Sequence, residues 1–167
     1  MREAMARVEL ATHIAAMPAT CFDLARDLDL HLDSLRDTGE RAVAGRMSGL
    51  IDLGEQVTWR ARHAGIVFQL TVRITAFDRP HHFRDSIVAG PFRAFEHDHR
   101  FSEVPDGTIM RDVIAFRAPF GLLGRIAEVA FLRHHLARVL GKRAEAIKAR
   151  AEHGDSNTAA VASREAL

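Results

Sequence analysis

Apolar and polar residues alternate in seven stretches of the chain, which is the pattern of strands that bury one face. The seven stretches are residues 7–14, 40–47, 55–62, 67–77, 82–88, 92–103 and 108–118. From the second stretch onward the separators are short, and each contains glycine or proline, as tight hairpin connections do. The alternation predicts a seven-stranded antiparallel sheet whose last six strands form a meander.

Three other stretches have apolar residues at helical spacing. Pro18 precedes a stretch over residues 19–27, and leucines recur every three or four residues over 28–37. After Pro119 the spacing stays helical for about thirty residues, which corresponds to about 45 Å of helix. One side of this long stretch carries Leu122, Ile126, Val129, Leu132, Leu136, Leu140 and Ile147. These patterns predict two short helices and one long C-terminal helix.

The predicted order of elements is one strand, two helices, six strands and one helix. The sheet has one apolar face to cover, and the long helix is the element that can cross it. The predicted class is α+β, with the sheet wrapped around the C-terminal helix and space for a cavity between them. Residues 1–153 are predicted to form one domain. Residues 154–167 lack a sustained apolar face and are expected to be a disordered tail.

Composition excludes several classes of protein. The chain has 167 residues, 47% hydrophobic and 27% charged, which is ordinary for one globular domain. Cys21 is the only cysteine, so no internal disulfide or thiolate-rich metal site is expected. No uncharged apolar run approaches the roughly 20 residues that cross a bilayer, and the first residues do not resemble a secretory signal. We expect a cytoplasmic protein without membrane insertion.

Charge gives no indication of nucleic-acid binding. Lysine and arginine total 23 against 22 acidic residues, a net charge of +1, and many arginines lie singly along predicted strands. Nucleic-acid-binding domains usually concentrate positive charge in one stripe. No nucleic-acid partner is therefore expected, and the sequence carries no signal for the oligomeric state.

The predicted inner face of the sheet carries ionisable side chains among apolar ones. Alternation places nine candidate ligand-binding residues there: Glu55, Trp59, Phe83, Asp85, Phe95, His97, His99, Met110 and Asp112. Five of them are ionisable. An ionised group that faces a dry core costs several kcal/mol unless it is paired. These side chains must therefore pair with one another or line a wet pocket.

Turn lengths predict which of these residues meet. A four-residue turn over 104–107 sets His99 opposite Asp112 in the neighbouring strand. The turn around residues 90–92 sets Asp85 opposite His97. Directly opposed Cβ atoms are about 4.5–5.5 Å apart. The sequence therefore predicts two Asp–His pairs side by side.

Three roles are open for these pairs. They could form a satisfied polar network that fixes the register of the sheet. They could orient a ligand in a mostly apolar cavity. They could also be catalytic, with Asp85 or Asp112 orienting His97 or His99 as a general acid or base.

Histidine spacing also raises the question of a metal. His97 and His99 lie on one side of a strand and could bind a metal with Asp85 or Asp112. Pairing with the aspartates accounts for the same residues, so neither a metal nor another cofactor is expected. The pairs His81–His82 and His134–His135 are interpreted as surface or helix-face residues.

Several short motifs carry a family resemblance. They are Phe83-Arg84-Asp85, Gly90-Pro91-Phe92, the His97-x-His99-x-Phe101 run and Asp112 followed by Ala118-Pro119. Together with the order of elements, they resemble the START-like helix-grip superfamily, also called SRPBCC, over about residues 5 to 150. The resemblance implies a helix-grip fold. Because that superfamily includes lipid carriers, hormone receptors, cyclases and chaperone activators, it implies little about activity.

The favoured function is the binding of a small hydrophobic or amphipathic molecule in the cavity, with the aspartates and histidines orienting its polar end. The first alternative is a cyclase or dehydratase-type enzyme that uses His97 or His99 as its acid or base. The second alternative is a protein-interaction module with a closed, fully packed interior.

Overall fold

The computed structural model describes residues 5–63, 66–119, 121 and 131–165. Its seven strands are β1 (Ala6–Ile14), β2 (Arg41–Gly45), β3 (Gln56–His63), β4 (Ile66–Asp78), β5 (His82–Ala89), β6 (Ala94–Val104) and β7 (Gly107–Arg117). Each strand overlaps a stretch predicted by alternation, so the prediction of seven strands is confirmed.

Two short helices follow β1, as predicted. Helix α1 (Pro18–Ala25) begins at a proline, whose fixed φ suits the first helical position and whose missing N–H needs no partner there. Helix α2 (Leu28–Ser34) is capped by Asp27, whose carboxylate accepts hydrogen bonds from the first backbone N–H groups of the helix. The caps explain why the chain divides into two helices rather than one.

The long C-terminal helix α3 (Arg133–Glu165) differs from its predicted bounds. The sequence predicts a start soon after Pro119, but residues 122–130 and three of the predicted apolar positions lie outside the described residues. At the other end the backbone is helical to Glu165, where the sequence predicts a disordered tail. The division into a domain of residues 1–153 and a tail stays a prediction.

All seven strands form one antiparallel sheet in the order β1-β7-β6-β5-β4-β3-β2. Strands β2 to β7 form the predicted meander, and β1 pairs with β7. The predicted registers are confirmed, because His99 lies opposite Asp112 and Asp85 lies opposite His97. The four residues therefore sit in three adjacent strands on the same face.

Helix α3 crosses this inner face and buries one stripe of its own surface. The stripe consists of Leu140, Ala144, Ile147 and Ala151, which are spaced by three or four residues. Lys148 Nζ also donates a hydrogen bond of 2.9 Å to the backbone oxygen of His13 in β1. The helix is thereby held against the edge strand of the sheet.

Phe22 of α1 fills the interior at one end of the sheet. Its ring meets the rings of Phe77, Phe83 and Phe101 edge to face, with centroids 5.2, 5.2 and 5.5 Å apart. Aromatic rings favour this arrangement because the positive edge of one ring faces the negative face of another. The open part of the interior lies beyond Phe83, where the sheet faces α2 and the first turns of α3.

Candidate functional site

A cavity of about 860 Å³ lies between the sheet, α2 and the first turns of α3. Apolar side chains from both layers form most of its wall: Leu28, Ile51, Val57, Trp59, Leu70, Val72, Ile74, Phe95, Leu136 and Leu140. Pockets for drug-sized ligands occupy roughly 300–1,000 Å³. The cavity is therefore large enough for a whole small molecule.

Most of the candidate ligand-binding residues line this cavity. They are Trp59, Phe83, Asp85, Phe95, His97 and His99. The ring of Phe83 stacks on the imidazole of His99, with centroids 4.1 Å apart. The polar part of the wall is therefore in direct contact with the apolar part.

Asp112 and Met110 of β7 do not line the cavity. Asp112 contacts the imidazoles of His97 and His99, and these two side chains present their surface to the cavity instead. Met110 is fully buried opposite Phe101, at the packed end of the sheet. Both residues face the interior as predicted but lie behind the cavity lining, and their role as ligand-binding residues stays a prediction.

Glu55 also lies outside the cavity lining. Its Oε2 accepts hydrogen bonds from Arg46 Nε at 3.0 Å and from the backbone N–H of Asp52 at 2.8 Å. The chain turns at Gly54, where φ is +81°, and β3 begins only after Glu55. The alternation that directs Val57 inward therefore does not extend to Glu55.

Asp85, His97, His99 and Asp112 form one compact group, which we call the Asp–His cluster. Asp112 Oδ1 lies 3.1 Å from His97 Nε2 and 2.7 Å from His99 Nδ1. Asp85 Oδ2 lies 3.7 Å from His97 Nδ1 and 3.3 Å from His99 Nε2. Each carboxylate therefore faces both imidazoles, whose ring centroids are 3.8 Å apart.

The directed hydrogen bonds in the cluster run diagonally between the strands. His97 bonds with Asp112, and His99 bonds with Asp85, although each histidine lies directly opposite the other aspartate in the strand register. The short contact between His99 Nδ1 and Asp112 lacks hydrogen-bond direction. The predicted pairs are thus merged into one four-membered cluster.

Burial and mutual contact set the charges in the cluster. Burial would raise the pKa of the Asp112 carboxyl, but its contacts with the two imidazoles outweigh burial and hold that pKa well below its usual range. Burial likewise opposes ionisation of Asp85, yet contacts with His99 and His97 lower its pKa. Both carboxylates are therefore ionised near neutral pH.

The two histidines of the cluster differ in pKa. Burial lowers the pKa of His97, and the nearby positive charge of His99 lowers it further, so that its contacts with the carboxylates do not compensate. Burial also acts against charge on His99, but its contacts with Asp112 and Asp85 raise its pKa above the ordinary value. His97 is therefore the imidazole that stays neutral.

A second polar group, not foreseen from the sequence, faces the cavity from α2. The His31 imidazole stacks on the Trp59 indole, with centroids 4.1 Å apart and planes 15° apart, and its Nε2 lies 2.9 Å from Glu40 Oε1. His31 lies three residues after Leu28, on the apolar face of the predicted helix. That spacing is the signal that could have identified it.

Helix α3 contributes Arg143 and His135 to the lining. Arg143 Nη2 donates a hydrogen bond of 3.0 Å to the backbone oxygen of Ala25. Arg143 follows Leu140 by three residues, so the helical spacing of the apolar stripe could have placed it inside. Of the two histidines predicted to be surface or helix-face residues of the long helix, His134 is exposed, and His135 is half-buried on the helix face that borders the cavity.

The chain belongs to the polyketide cyclase/dehydrase and lipid transport family, whose model matches residues 5–152. The match confirms the resemblance to the START-like superfamily and the helix-grip fold. No protein of curated function matches the sequence. No helix within the described residues is both long and apolar enough to span a bilayer.

Solved structures share the fold at low sequence identity. The protein TTHA0849 from Thermus thermophilus is 17% identical with a TM-score of 0.68, over 87% of this chain and 99% of that one. A START superfamily protein from Mycobacterium smegmatis is 15% identical with a TM-score of 0.64, over 88% and 97%. The major latex-like protein 151 of Panax ginseng is 13% identical with a TM-score of 0.64, over 89% and 99%. At these identities the likeness concerns the fold alone.

Proposed function

We propose that this protein binds one amphipathic molecule in its cavity, with the polar end of that molecule against the Asp–His cluster. The observation that carries the proposal is that polar and apolar side chains line separate parts of the cavity. About 860 Å³ of space is surrounded mainly by apolar side chains, and Asp85, His97 and His99 line one part of it. A pocket with few convergent polar groups in an apolar wall orients a ligand by those groups.

The chemistry of the cluster favours a ligand that donates a hydrogen bond. An ionised Asp112 only accepts, so the His97 Nε2 that bonds to it carries the proton and Nδ1 is left as an acceptor. Nδ1 lies 3.7 Å from Asp85 Oδ2, which is also an acceptor. Either acceptor can accept the single proton of a ligand hydroxyl group, whereas a ligand carboxylate placed beside them would be repelled by Asp85.

The remainder of the ligand is expected to be apolar. Trp59 of β3 and Leu70 of β4 line the cavity and offer it no hydrogen-bonding group except the indole N–H. Burying a methylene group there gains about 0.8 kcal/mol. A long-chain alcohol is therefore the simplest probe of the proposed binding.

Native mass spectrometry tests the proposal directly. After incubation with straight-chain alcohols from octanol to octadecanol, we expect one alcohol per chain to be retained. Ala61→Phe places a ring in the cavity, and Ala115→Phe adds the same ring on the opposite face of the sheet. Binding that is lost in Ala61→Phe and kept in Ala115→Phe supports the proposal, whereas no retained alcohol, or equal retention in both variants, refutes it.

The two alternatives stay predictions. A cyclase or dehydratase would use the same cluster, since His97 borders the cavity and is held by Asp112. A protein-interaction module predicts a fully packed interior, and the size of the cavity favours ligand binding over this alternative.

A further inference from the structure

We infer that Asp85, His97 and His99 form a binding site for one divalent transition-metal ion. One ligand atom from each of the three residues lies within 4.8 Å of the other two. Among the described residues, this is the one such group of three histidine, cysteine or acidic side chains. It lies at the wall of the cavity, so an ion could reach it from the ligand space.

The distances are close to those of a metal site. Asp85 Oδ2 lies 3.7 Å from His97 Nδ1 and 3.3 Å from His99 Nε2. Metal–ligand bonds of about 2.0–2.1 Å at tetrahedral angles set neighbouring ligand atoms about 3.3–3.4 Å apart. The two contacts of Asp85 therefore have nearly the spacing of a metal site, and the two imidazole nitrogens, which lie within 4.8 Å of each other, must reach the same spacing when the ion binds.

Asp112 occupies the place of an outer-sphere carboxylate. Its Oδ1 contacts the nitrogen of each imidazole that does not face Asp85, at 3.1 Å for His97 and 2.7 Å for His99. Metal-binding histidines generally direct their second nitrogen at a carboxylate or carbonyl, which fixes the tautomer and the ring orientation. This hydrogen bond is formed by His97, whereas His99 Nδ1 lies close to the same carboxylate oxygen without hydrogen-bond direction.

A comparison within the same two strands shows what distinguishes this site. His82 and Asp98 also form a histidine–aspartate pair between β5 and β6, with an N–O distance of 2.6 Å. Asp98, however, accepts two hydrogen bonds from Arg84, at 3.0 Å each, so a cation already neutralises it. The pair lies on the outer face of the sheet and serves as a matched control.

The donor set selects the kind of metal. Two imidazole nitrogens and one carboxylate oxygen suit Zn²⁺ or another first-row divalent ion such as Co²⁺, whereas Mg²⁺ and Ca²⁺ prefer oxygen ligands alone. Asp85 and Asp112 together balance the charge of a divalent ion. Three protein ligands leave a fourth position open toward the cavity. The metal site itself does not depend on the proposed function. Only coordination of the ion by an oxygen of the bound amphipathic molecule rests on that function.

The metal can be tested without any organic ligand. Protein stripped with a chelator is titrated with Zn²⁺ against a competing chromophoric chelator, and Co²⁺ is added separately to record visible absorption. We expect one tight equivalent of Zn²⁺ and the intense absorption of four-coordinate Co²⁺. Asp85→Asn and His97→Gln should abolish tight binding, and Asp112→Asn should weaken it by about 10–100-fold. His82→Gln should leave it unchanged.

The outcomes separate this inference from the proposed function. Absence of a tight equivalent in the wild-type protein, or unchanged affinity in a folded Asp85→Asn variant, overturns the metal site. Loss of binding in His82→Gln also overturns it, because the ion would then sit on the outer face. Alcohol retention is measured in the stripped protein, so a metal site without alcohol binding refutes the proposed function alone, and the reverse result refutes the metal site alone.

Discussion

The Nε2 nitrogen of His97 lies 3.1 Å from the Oδ1 oxygen of Asp112, and both side chains are buried in the inner face of the sheet. Because the Asp112 carboxylate accepts a hydrogen bond from the Nε2–H group, the neutral imidazole directs its unprotonated Nδ1 toward Asp85. This one hydrogen bond therefore makes His97 Nδ1 a hydrogen-bond acceptor beside Asp85. The proposed preference for a hydroxyl group and the inferred metal site both depend on it.

Removal of the Asp112 carboxylate is expected to destabilise the fold strongly. Breaking a buried charged pair costs about 3–5 kcal/mol, because the partners remain buried without compensation. We therefore expect Asp112→Ala to lower the free energy of unfolding by this amount in urea denaturation of the stripped protein. Glu9→Ala, which breaks an exposed pair with Arg111 in the neighbouring strand, should cost about 0–1 kcal/mol. Equal costs would contradict the account.

The pH dependence of stability should contain a contribution from His31. Burial and the positive charge of Arg143 lower its pKa, although Glu40 and Asp85 act in the opposite direction. The unfolded chain, with a histidine pKa of about 6.5, takes up this proton at higher pH than the folded chain. Stability contributed by neutral His31 is therefore present above about pH 6.5 and is lost as the pH falls toward the lowered folded pKa.

His31→Gln measures this contribution. The amide can still donate a hydrogen bond to Glu40, but it does not titrate. Between about pH 7.5 and about pH 5.5, the wild-type protein should lose stability relative to the variant in urea unfolding. A wild-type protein that gains stability relative to the variant over that interval would show that the pKa of His31 is raised instead.

Two phenylalanines distinguish the packed end of the interior from the open end. Phe22 is fully buried among three other rings, so Phe22→Ala should cost about 3–5 kcal/mol. Phe92 is half-buried and lines the cavity, so Phe92→Ala should cost only about 1–2 kcal/mol and should mainly weaken alcohol binding. Thermal and urea unfolding measure the first effect, and alcohol titration measures the second. The reverse order of stabilities would mean that the cavity end is the better packed one.

The charge of Asp85 should decide which polar group the cavity accepts. Asp85→Asn removes the repulsion of an anion and offers an amide donor in place of one acceptor. The ratio of the Kd for dodecanoate to the Kd for dodecanol should therefore fall relative to the stripped wild-type protein. Glu96→Gln removes an acidic group from the outer face of β6 and should leave the ratio unchanged. If both variants changed the ratio equally, general charge rather than Asp85 would be responsible.

Short-range pattern was sufficient to predict the sheet and the register of its central strands. The turn between β6 and β7 fixes how Glu103 meets Thr108, and every later pair, including His99 with Asp112, follows from that count. The same logic paired Asp85 with His97. Side-chain direction is not contained in the register, so the diagonal hydrogen bonds were not predicted.

The rest of the site depends on how the layers are packed. His31 and Arg143 lie on helices, and only the approach of α2 and α3 to the sheet brings them to the same cavity as Trp59. The prediction for Glu55 differs from the structure because the predicted strand begins at residue 55, whereas β3 begins at Gln56 and Glu55 belongs to the turn that follows Gly54. The missed residues and the position of Glu55 have one cause. Hydrophobic periodicity shows which residues of a strand or helix share a face, but it does not show where that strand or helix begins or which other element covers it.

Trp59 allows the most direct measurement of ligand binding. It is the only tryptophan, the chain has no tyrosine, and its indole lines the cavity. In the stripped protein, bound Nile red should accept energy from Trp59, and dodecanol should reverse the transfer with a single saturating curve. The transfer should be absent in Ala61→Phe and retained in Ala115→Phe. Undiminished transfer in Ala61→Phe, or no transfer in the wild-type protein, would contradict the claim that the cavity binds an amphipathic molecule.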